Sequence, residues 1–332
     1  MIRVTAPSRL HFGLFALLAE GVTHWPGADG QPALPARHFC GIGLMIDQPG
    51  VQVTVRPAAA WTASGPSSER ALFFAQRFTA SMPDDQRDSR FEIVVERCAP
   101  EHVGLGTGTQ LALAVARALA LATGYAHWNA AELARHVGRG LRSSLGIHGF
   151  EQGGLLVEGG KTAAGQIAPL VARQPFPDEW QILLMVTREQ KGTHGAEERE
   201  AFAQLAQRER DLRRSETLCR LTLLGLLPAL AERDLPAFGE ALYEFNRRAG
   251  EWFLPWQGGP YADALTETRI ASVRRHGIRG VGQSSWGPTV FAVERRDVLQ
   301  RLRQELLDQG EFHDDELLLC RASNQGVLHS QG

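Results

Sequence analysis

A glycine-rich segment followed by a long apolar run constrains this chain more than any other feature. The segment Pro100–Gln110 carries three glycines at alternate positions and two threonines, and a run dominated by Leu and Ala continues to Gly124. The run holds strong helix formers and no proline, so it predicts a helix with Thr109 as its N-cap and Gly124 at its left-handed C-terminus. The stretch Arg90–Cys98, which is rich in apolar and β-branched residues, predicts a strand just before the loop.

A glycine loop at a helix N-terminus predicts a binding site for an anion, most naturally a phosphate or a diphosphate. Glycine lets the backbone approach a ligand closely, and the free amides and dipole of the first helical turn favour negative charge. A plain connection between a strand and a helix remains the alternative, because isolated glycine loops also occur without a ligand. The segment is not a Walker loop, since no Lys-Ser/Thr pair follows it, and it is not a clear dinucleotide fingerprint.

The composition limits the classes of partner. The chain has 332 residues, 43 % of them apolar, and its formal net charge of −2 argues against nucleic acid or an anionic membrane. Four widely spaced cysteines form no CxxC pair and the N-terminus shows no signal-peptide pattern, so we expect a cytoplasmic protein with reduced thiols. The most apolar stretch, near residues 111–121, is too short to span a bilayer.

The length predicts two domains, and a small, polar, proline-rich segment at residues 160–178 predicts the boundary between them. We place the domains at residues 1–172 and 173–332. The patterns of the first domain predict a strand at 2–6, a long loop at 20–37, a hairpin at 41–55 with its turn at 48–50, and helices at 69–81 and 130–140. Asn129 is the predicted cap of the second helix. The glycine-rich segment 141–160 predicts a loop that lets a ligand approach the backbone, rather than part of the core, and it ends in a short strand at 155–158.

The second domain follows a different order of elements. Its patterns predict a strand at 180–187, helices at 196–213, 215–232, 235–250 and 262–276, two short strands around 282–287, a helix at 296–309 and a strand at 316–321. This order suits an antiparallel sheet with helices on one face.

Three separated segments together resemble the signature motifs of the GHMP kinase superfamily. They are Ala6–Leu10 near the start, Pro100–Thr109 at the glycine loop, and Gly280–Pro288 near the C-terminus. The resemblance implies an α+β chain with an ATP-binding fold: an N-terminal domain like domain 2 of ribosomal protein S5, and a ferredoxin-like C-terminal domain.

Within that superfamily the chain is most similar to the β-ribofuranosylaminobenzene 5′-phosphate synthase family. The similarity lies in segments that span nearly the whole chain: Ser8–Leu14, Arg142–Ser143 with Gly146–Gly154, Asn246–Phe253, Gln257–Tyr261 and Gln283–Pro288. It implies a decarboxylating phosphoribosyltransferase that joins 5-phosphoribosyl 1-diphosphate to 4-aminobenzoate, or to 4-hydroxybenzoate, and releases CO2 and diphosphate. The product is an early intermediate of methanopterin-type C1 carriers. Mg2+ is the expected cofactor, and no organic cofactor is expected.

The chain departs from the superfamily pattern at two places. Kinases of the superfamily usually carry an acid in a Ser-Gly-x-Asp context, and the comparable stretch here is Leu145–His148. Without that acid, phosphoryl transfer to an alcohol lacks its usual base. Thr107 and Thr109 replace the commoner serines of the glycine loop, which keeps the hydroxyl donors and adds bulk.

The motifs supply the candidate site residues. The catalytic candidates are Arg9, His11, Arg142, Ser143, His148 and Glu151. The phosphate- and substrate-binding candidates are Gly104, Leu105, Gly106, Thr107, Gly108, Thr109, Ser144, Asn246, Gln257, Gly258, Gly259, Gly282, Gln283, Ser284 and Ser285. The sequence does not fix the ligands of Mg2+, for which Thr109 and Glu151 are the alternatives, and it does not define what His148 does as a catalytic candidate.

Several of these residues have an alternative interpretation that the sequence leaves open. Arg9 is either a phosphate or carboxylate contact or a surface arginine, and His11 either orients a substrate group or is a satisfied buried histidine. Glu151 either binds Mg2+ or pairs with an arginine, and Asn246 either faces the cleft or lies on a solvated helix face. We expect His194 to lie in a plain turn, although a lid is the alternative.

The aromatic residues near the C-terminal motifs also have two interpretations. Trp252, Phe253 and Trp256 are expected in the core, with a platform for an aromatic substrate as the alternative.

Two other functions compete with the synthase. The first is an ATP-dependent small-molecule kinase, against which His148 argues at the position of the acid. The second is a binding module for RNA on an S5-like domain, against which the near-neutral charge argues. We expect small-molecule substrates as partners, no nucleic acid and no membrane, and we leave a homodimer open.

Overall fold

The computed structural model describes residues 1–16, 24–26, 32–186, 200, 204 and 212–332. The strands in chain order are β1 Ile2–Ala16, β2 His24–Pro26, β3 Pro32–Pro35, β4 Cys40–Pro57, β5 Thr62–Ser64, β6 Phe91–Cys98, β7 Leu155–Glu158, β8 Leu170–Gln174, β9 Trp180–Met185, β10 Gly280–Gln283, β11 Val290–Arg295, β12 Leu317–Arg321 and β13 Leu328–Gln331. The α-helices are α1 Ser68–Ala80, α2 Asp84–Arg87, α3 Thr107–Ala122, α4 Ala130–His136, α5 Leu145–Gln152, α6 Leu212–Leu221, α7 Leu227–Ala231, α8 Leu235–Gly250, α9 Leu254–Gln257, α10 Ala264–Arg275 and α11 Arg296–Asp308.

The first sheet is built on two long antiparallel strands, β1 and β4. Its strand order is β13-β1-β4-β6-β5, and β7 pairs with both β4 and β8. Both halves of β4 pair with β1, so Cys40–Pro57 is one strand and the predicted hairpin at 41–55 is wrong. Gly50 stays within the sheet because its N–H donates to Ser8 Oγ over 3.1 Å and its carbonyl accepts from the N–H of Ala99.

Helix α3 forms the centre of the first core. Strands β1 and β4 lie on one side of it, and α1, α4 and α5 pack around the rest, so nearly every side chain of the Leu- and Ala-rich run is buried. The helix begins at Thr107 with Gly106 as its cap, which places Thr109 inside the first turn and makes the predicted N-cap wrong. Gly124 has the predicted left-handed backbone, with φ of 87°.

The segment predicted as a glycine-rich binding loop at 141–160 contains a buried helix, α5. Its glycines serve helix packing: a Cβ on Gly146 would lie 3.3 Å from Thr109 Cγ2, and one on Gly149 would overlap Met45 Sδ. Leu145, Ile147 and Phe150 are buried as well. The prediction that this stretch is poor core material is therefore wrong, because the glycines make room for α3 and β4 on two sides of a short helix.

The second sheet has the strand order β10-β11-β9-β12, with all pairs antiparallel, as in a ferredoxin-like domain. Helices α10 and α11 cover one face, where Leu183 and Met185 point. Helix α8 and part of the first sheet cover the other face, where Ile182 and Leu184 point. The sheet is thus buried on both faces, whereas the sequence predicted helices on only one.

Most of the other predicted elements are confirmed within about three residues, including α1, α8, α10, α11 and the N-cap Asn129 of α4. The predicted strand at 2–6 continues to Ala16, and the predicted helix at 130–140 ends at His136. The predicted helix at 215–232 begins at Leu212 and includes a π-helical turn at Thr222–Leu226. The described part of the predicted loop at 20–37 forms the ribbon β2–β3. His194 and most of the predicted helix at 196–213 lie outside the described residues.

The C-terminal segment returns to the first sheet, because β13 pairs with β1. The sequence did not predict this strand. Asn324 strengthens the return: its amide exchanges hydrogen bonds of 2.7 and 2.8 Å with the backbone of Phe176. The division into residues 1–172 and 173–332 stays a prediction.

Candidate active site

Two adjoining clefts lie where the two sheets meet. The large cleft has a volume of about 270 Å3 and the small cleft, over the glycine loop, about 200 Å3. The residues that line both clefts, and so form the wall between them, are Arg9, Thr109, Arg139, Ser285 and Trp286.

The lining of both clefts is basic. Arg9 and Arg139 line both, Arg142 lines the large cleft and Arg70 the small one. None of the described residues that line either cleft is an Asp or a Glu. The site is therefore suited to anionic ligands and offers them no carboxylate of its own.

The glycine loop is held from both sides. Gly104 and Gly106 have φ of 90° and 70°, a backbone that favours glycine. A Cβ on Gly104 would overlap the carbonyl oxygen of Ser284, so this glycine serves the packing of the loop against the C-terminal motif. A Cβ on Gly106 would lie 3.3 Å from Arg9 Nε, so this glycine makes room for the arginine.

The C-terminal motif holds the loop by side-chain hydrogen bonds. Ser284 Oγ donates to the carbonyl of Gly104 over 2.8 Å and accepts from the N–H of His11 over 3.1 Å. Thr289 Oγ1 donates to the carbonyl of Val103 over 2.6 Å. The three motifs of the chain therefore meet at this place.

His11 lines the large cleft from strand β1 and is almost fully buried. Burial and, to a smaller extent, the Arg9 guanidinium hold the pKa of His11 well below its usual value. The imidazole is therefore neutral near pH 7, and it can donate or accept a hydrogen bond but adds no positive charge.

A buried acid and a buried lysine hold the wall formed by Gly140–Ser144. The N–H of Ser144 donates to Glu158 Oε2 over 2.6 Å, and Lys161 Nζ donates to the carbonyl of Gly140. Burial raises the pKa of Glu158 to about 7. Hydrogen bonds from Ser143 and Ser144 and the charge of Lys161 lower this pKa, but by less than burial raises it. Both side chains support the cleft from behind and do not line it.

Asn246 and Gln283 line the large cleft with polar groups that are already engaged. Asn246 donates to the carbonyls of Phe12 and Gln283 over 2.7 and 2.8 Å, and its Oδ1 accepts from the N–H of Gln283. Gln283 Oε1 accepts from the N–H of Ala262 over 2.8 Å. These contacts join α8 to β1 and β10, so they fix the shape of the cleft.

The remaining wall of the large cleft is partly aromatic. Phe253 and Trp286 pack edge to face, with ring centroids 4.4 Å apart. Gln257 and Tyr261 also line it, and Gln257 Oε1 and Tyr261 Oη are buried with no hydrogen-bond partner among the described residues. Trp252, by contrast, lies in the core and donates to the carbonyl of Leu14 over 3.1 Å.

The structure brings most of the predicted site residues together. Those that line a cleft are Arg9, His11, Gly104, Leu105, Gly106, Thr107, Gly108, Thr109, Arg142, Ser143, Asn246, Gln257, Gln283 and Ser285. Those outside the lining of both clefts are Ser144, His148, Glu151, Gly258, Gly259, Gly282 and Ser284. Their roles in binding and catalysis stay predictions.

His148 and Glu151 face other parts of the fold. His148 Nε2 lies 2.7 Å from the carbonyl oxygen of Ala168. Glu151 accepts from the N–H of Ala130 over 2.7 Å and lies 3.4 Å from Arg117 Nη2. Glu151 thus pairs with an arginine that lies eight residues after Thr109 on α3, and it lines neither cleft. Of the two alternative Mg2+ ligands, only Thr109 therefore lines a cleft. No group of three His, Cys, Asp or Glu in the described part of the chain could hold a metal ion.

The sequence missed several residues of the site. Arg70 and Arg139 lie outside every motif, on α1 and just after α4, and only the fold brings them to the glycine loop. Tyr261 belongs to a matching segment but carried no predicted role. Glu158 and Lys161 could have been found only as charged residues at the end of a buried strand and just after it.

Comparison with known proteins supports one family. A model described as "GHMP kinases N terminal domain" matches residues 71–151, and one described as "GHMP kinases C terminal" matches residues 226–311, together about half of the chain. Among curated proteins the chain is 28 % identical to a β-ribofuranosylphenol 5′-phosphate synthase of Methanothermobacter thermautotrophicus, over 87 % of this chain and 88 % of that one. It is also 28 % identical to a protein of the same name from Archaeoglobus fulgidus, over 98 % and 99 % of the two chains.

Solved structures with low sequence identity share the fold. Mevalonate diphosphate decarboxylase from Staphylococcus aureus superimposes with a TM-score of 0.65 at 14 % identity, covering 100 % of this chain and 99 % of that one. A putative homoserine kinase from Listeria monocytogenes gives 0.60 at 15 % identity, with 100 % of both chains covered. No described helix combines the length and the hydropathy needed to cross a membrane. The predicted α+β fold and the predicted resemblance to the synthase family are confirmed, and the chain belongs to the GHMP kinase superfamily.

Proposed function

We propose that this chain transfers the phosphoribosyl group of 5-phosphoribosyl 1-diphosphate to a 4-substituted benzoate and releases CO2 and diphosphate, in the biosynthesis of a methanopterin-type carrier. The observation that carries the proposal is the lining of the two clefts, which is rich in arginine and contains no Asp or Glu among the described residues. The names of the curated relatives support the same reaction class.

The chemistry explains why such a site needs no carboxylate base. A hydroxyl or amino group para to the carboxylate makes the carboxylate-bearing ring carbon nucleophilic. This carbon forms a bond to the anomeric carbon while the bond to diphosphate breaks, and loss of CO2 returns the bonding electrons to the ring. No ring proton has to be removed, so binding, alignment and stabilisation of the leaving group are the protein's main tasks.

The two clefts divide these tasks between them. The amides of the first turn of α3 and the arginines of the small cleft would hold the diphosphate. The large cleft would hold the aromatic acid next to the aromatic pair Phe253–Trp286, with Arg142 near its carboxylate. Arg9 lies in the shared wall, where the bond to diphosphate breaks and the new bond forms.

The relatives' name favours 4-hydroxybenzoate as the acceptor. A product named as a ribofuranosylphenol carries a hydroxyl group on the ring, and decarboxylation of the para acid leads to it. The neutral His11 and the amide of Gln257 can each hydrogen-bond with a hydroxyl or an amine, so both 4-substituted benzoates fit the polar groups of the cleft. We therefore place 4-hydroxybenzoate first and keep 4-aminobenzoate as a second acceptor.

Mg2+ would enter with the substrate. Of the two alternative ligands, Glu151 lies outside both clefts and Thr109 lines both, so no step is assigned to a metal held by the protein alone. A divalent cation prefers phosphate oxygens together with few protein ligands, which suits delivery as a complex with the ribosyl diphosphate.

A kinase function has weaker support. A kinase of this fold needs an acid near the acceptor hydroxyl, whereas His148 occupies that position here and its ring engages the carbonyl of Ala168. The cytoplasm remains the proposed location, supported by four cysteines that form no disulfide. A homodimer stays an open prediction.

The proposal is tested by following the carboxyl carbon. The purified protein is incubated with Mg2+, 5-phosphoribosyl 1-diphosphate and carboxyl-labelled 4-hydroxybenzoate, 4-aminobenzoate or benzoate, each at saturation. We expect labelled CO2 from the two para-substituted acids and almost none from benzoate, which lacks the electron donor. ATP-dependent phosphorylation of a small alcohol, with no release of CO2, would contradict the proposal.

A further inference from the structure

Two arginines that belong to no motif converge on the first turn of α3. A Cβ on Gly108 would overlap Arg70 Nη2 and would lie 3.4 Å from Arg139 Nη2. The two guanidinium groups also share the ring of Phe74, at 5.8 and 4.6 Å from its centroid. Because Arg70 comes from α1 and Arg139 follows α4, the fold itself brings the two like charges to one glycine.

The charges around these arginines do not balance. Glu101 pairs with Arg70 at 2.6 Å. Arg139 is mostly buried, and its cationic neighbours Arg70 and Arg77 oppose its charge while Glu101 alone favours it. Burial and these neighbours lower the pKa of Arg139 to about 10, so the group is still protonated near pH 7. Holding two cations side by side in a part-buried place costs free energy that a bound anion would return.

We propose that Arg70 and Arg139 form a clamp that grips the diphosphate of the ribosyl donor against the first turn of α3. The inference rests on the proposed function and deepens it, because it assigns the leaving group to two side chains of the small cleft. Planar guanidinium groups bind phosphate oxygens through paired N–H donors, and helix N-terminal amides add further donors. Gly108 is required beside them because any side chain there would displace Arg70.

The position of Arg139 gives the clamp a second consequence. Arg139 also lines the large cleft, so it lies where the bond to the leaving diphosphate breaks. The clamp binds the diphosphate both before and after bond cleavage. Diphosphate should therefore compete with the ribosyl donor and not with the benzoate.

The test is calorimetric titration of the full chain with inorganic diphosphate, alongside steady-state kinetics for both substrates. We expect Arg139→Ala to weaken diphosphate binding by at least about tenfold and to raise KM for the ribosyl donor, with KM for the benzoate nearly unchanged. Arg135→Ala is the matched control, because Arg135 is an exposed arginine near the end of α4, four residues before Arg139 in the chain, and lines neither cleft. It should bind diphosphate as the wild type does.

Two further variants keep the test decisive if Arg139→Ala fails to fold. Arg139→Lys keeps the charge and loses the paired donors, so it should bind diphosphate less tightly than the wild type. Gly108→Ala places a methyl group against the flexible end of Arg70, so it should fold normally and also bind diphosphate less tightly. Thermal melting establishes the folded state of every variant.

The outcomes separate the clamp from the proposed function. Equal diphosphate affinity in Arg139→Ala or Arg139→Lys and in the Arg135 control would overturn the clamp, even if the wild type releases CO2 from the benzoate. Diphosphate binding that depends on Arg139, in a wild type that releases no CO2 from any benzoate, would support the clamp and overturn the proposed function.

Discussion

Glu158 shows how a single buried residue can couple the site to pH. Its side chain is fully buried behind the wall of the large cleft, where one oxygen accepts from the N–H of Ser144. Burial raises the pKa of Glu158 from its ordinary value of 4.5 to about 7. The folded protein therefore holds a proton on this group over a pH range in which the unfolded chain has released it.

This proton predicts a pH dependence of stability. The stabilisation that comes from this proton is fully present below about pH 4.5 and is lost as pH rises through about 7, because the folded state binds the proton more tightly than the unfolded chain does. Between about pH 4.5 and 7, the free energy of unfolding of the wild type should fall relative to that of Glu158→Gln, by on the order of 3 kcal/mol at most. Above about pH 7 the difference between the two proteins should stay constant. Urea unfolding of both proteins at several pH values measures this. A difference that is flat, or that increases in favour of the wild type, would mean that Glu158 is ionised in the fold.

The residues of the site were predictable only where they lie in motifs. Arg9, His11 and the glycine loop carry local patterns, and the structure brings them together. Arg70 and Arg139 carry none, because an arginine near the end of a helix is ordinary on a surface. Their convergence depends on the packing of α1 and α4 around α3, a long-range relation that no local pattern encodes.

Among the elements, helix α5 shows glycine used for packing. Gly149 faces Met45 of β4 so closely that a Cβ would overlap the sulfur atom. We expect Gly149→Ala to destabilise the protein by about 1–3 kcal/mol, because Met45 is fully buried and has little room to move. Denaturant unfolding measures the change. Gly259→Ala is the control, since the nearest atom to a Cβ there is 3.7 Å away. Equal stability of the two variants would show that the helix does not depend on close contact at Gly149.

The elements differ in how far the sequence predicts them. The strand Phe91–Cys98 and helix α3 have strong local patterns and lie where predicted. Strand β4 was predicted wrongly as a hairpin, because its Pro-Gly pair indicates a turn locally. The long partner β1 nevertheless keeps both halves of β4 in one sheet. Helix α5 was predicted wrongly as a ligand-binding loop, because glycines that let a ligand approach and glycines that let another helix approach give the same sequence pattern. In both cases tertiary contacts decide against the local preference.

At the scale of the whole molecule, the glycine loop joins the two halves of the chain. Ser284 accepts from the N–H of His11 and donates to the carbonyl of Gly104, so one hydroxyl satisfies two backbone groups from distant segments. We expect Ser284→Ala to leave both groups unsatisfied and to lower the free energy of unfolding by about 1–3 kcal/mol. The exposed Ser330→Ala is the control, and urea unfolding is the measurement. Unchanged stability in Ser284→Ala would contradict this role.

The architecture as a whole was predictable from the order of three motifs, because their spacing is similar to that of a known superfamily. What the sequence could not show is that the site has an arginine-rich lining with no Asp or Glu among its described residues. That property depends on which charged side chains face the clefts. Glu101, Glu151 and Glu158 lie close to residues of the clefts but do not line either cleft. This lining is the observation on which the proposed function rests.

The position of the new bond tests this account most directly. The product is made from 5-phosphoribosyl 1-diphosphate labelled with 13C at the anomeric carbon and from 4-hydroxybenzoate labelled with 13C at the ring carbon that bears the carboxylate. The account predicts a one-bond carbon–carbon coupling between the two labels in the NMR spectrum, with one CO2 and one diphosphate released per product. A product that keeps its carboxylate and carries the ribosyl group on the para oxygen, or on the nitrogen of 4-aminobenzoate, would contradict it.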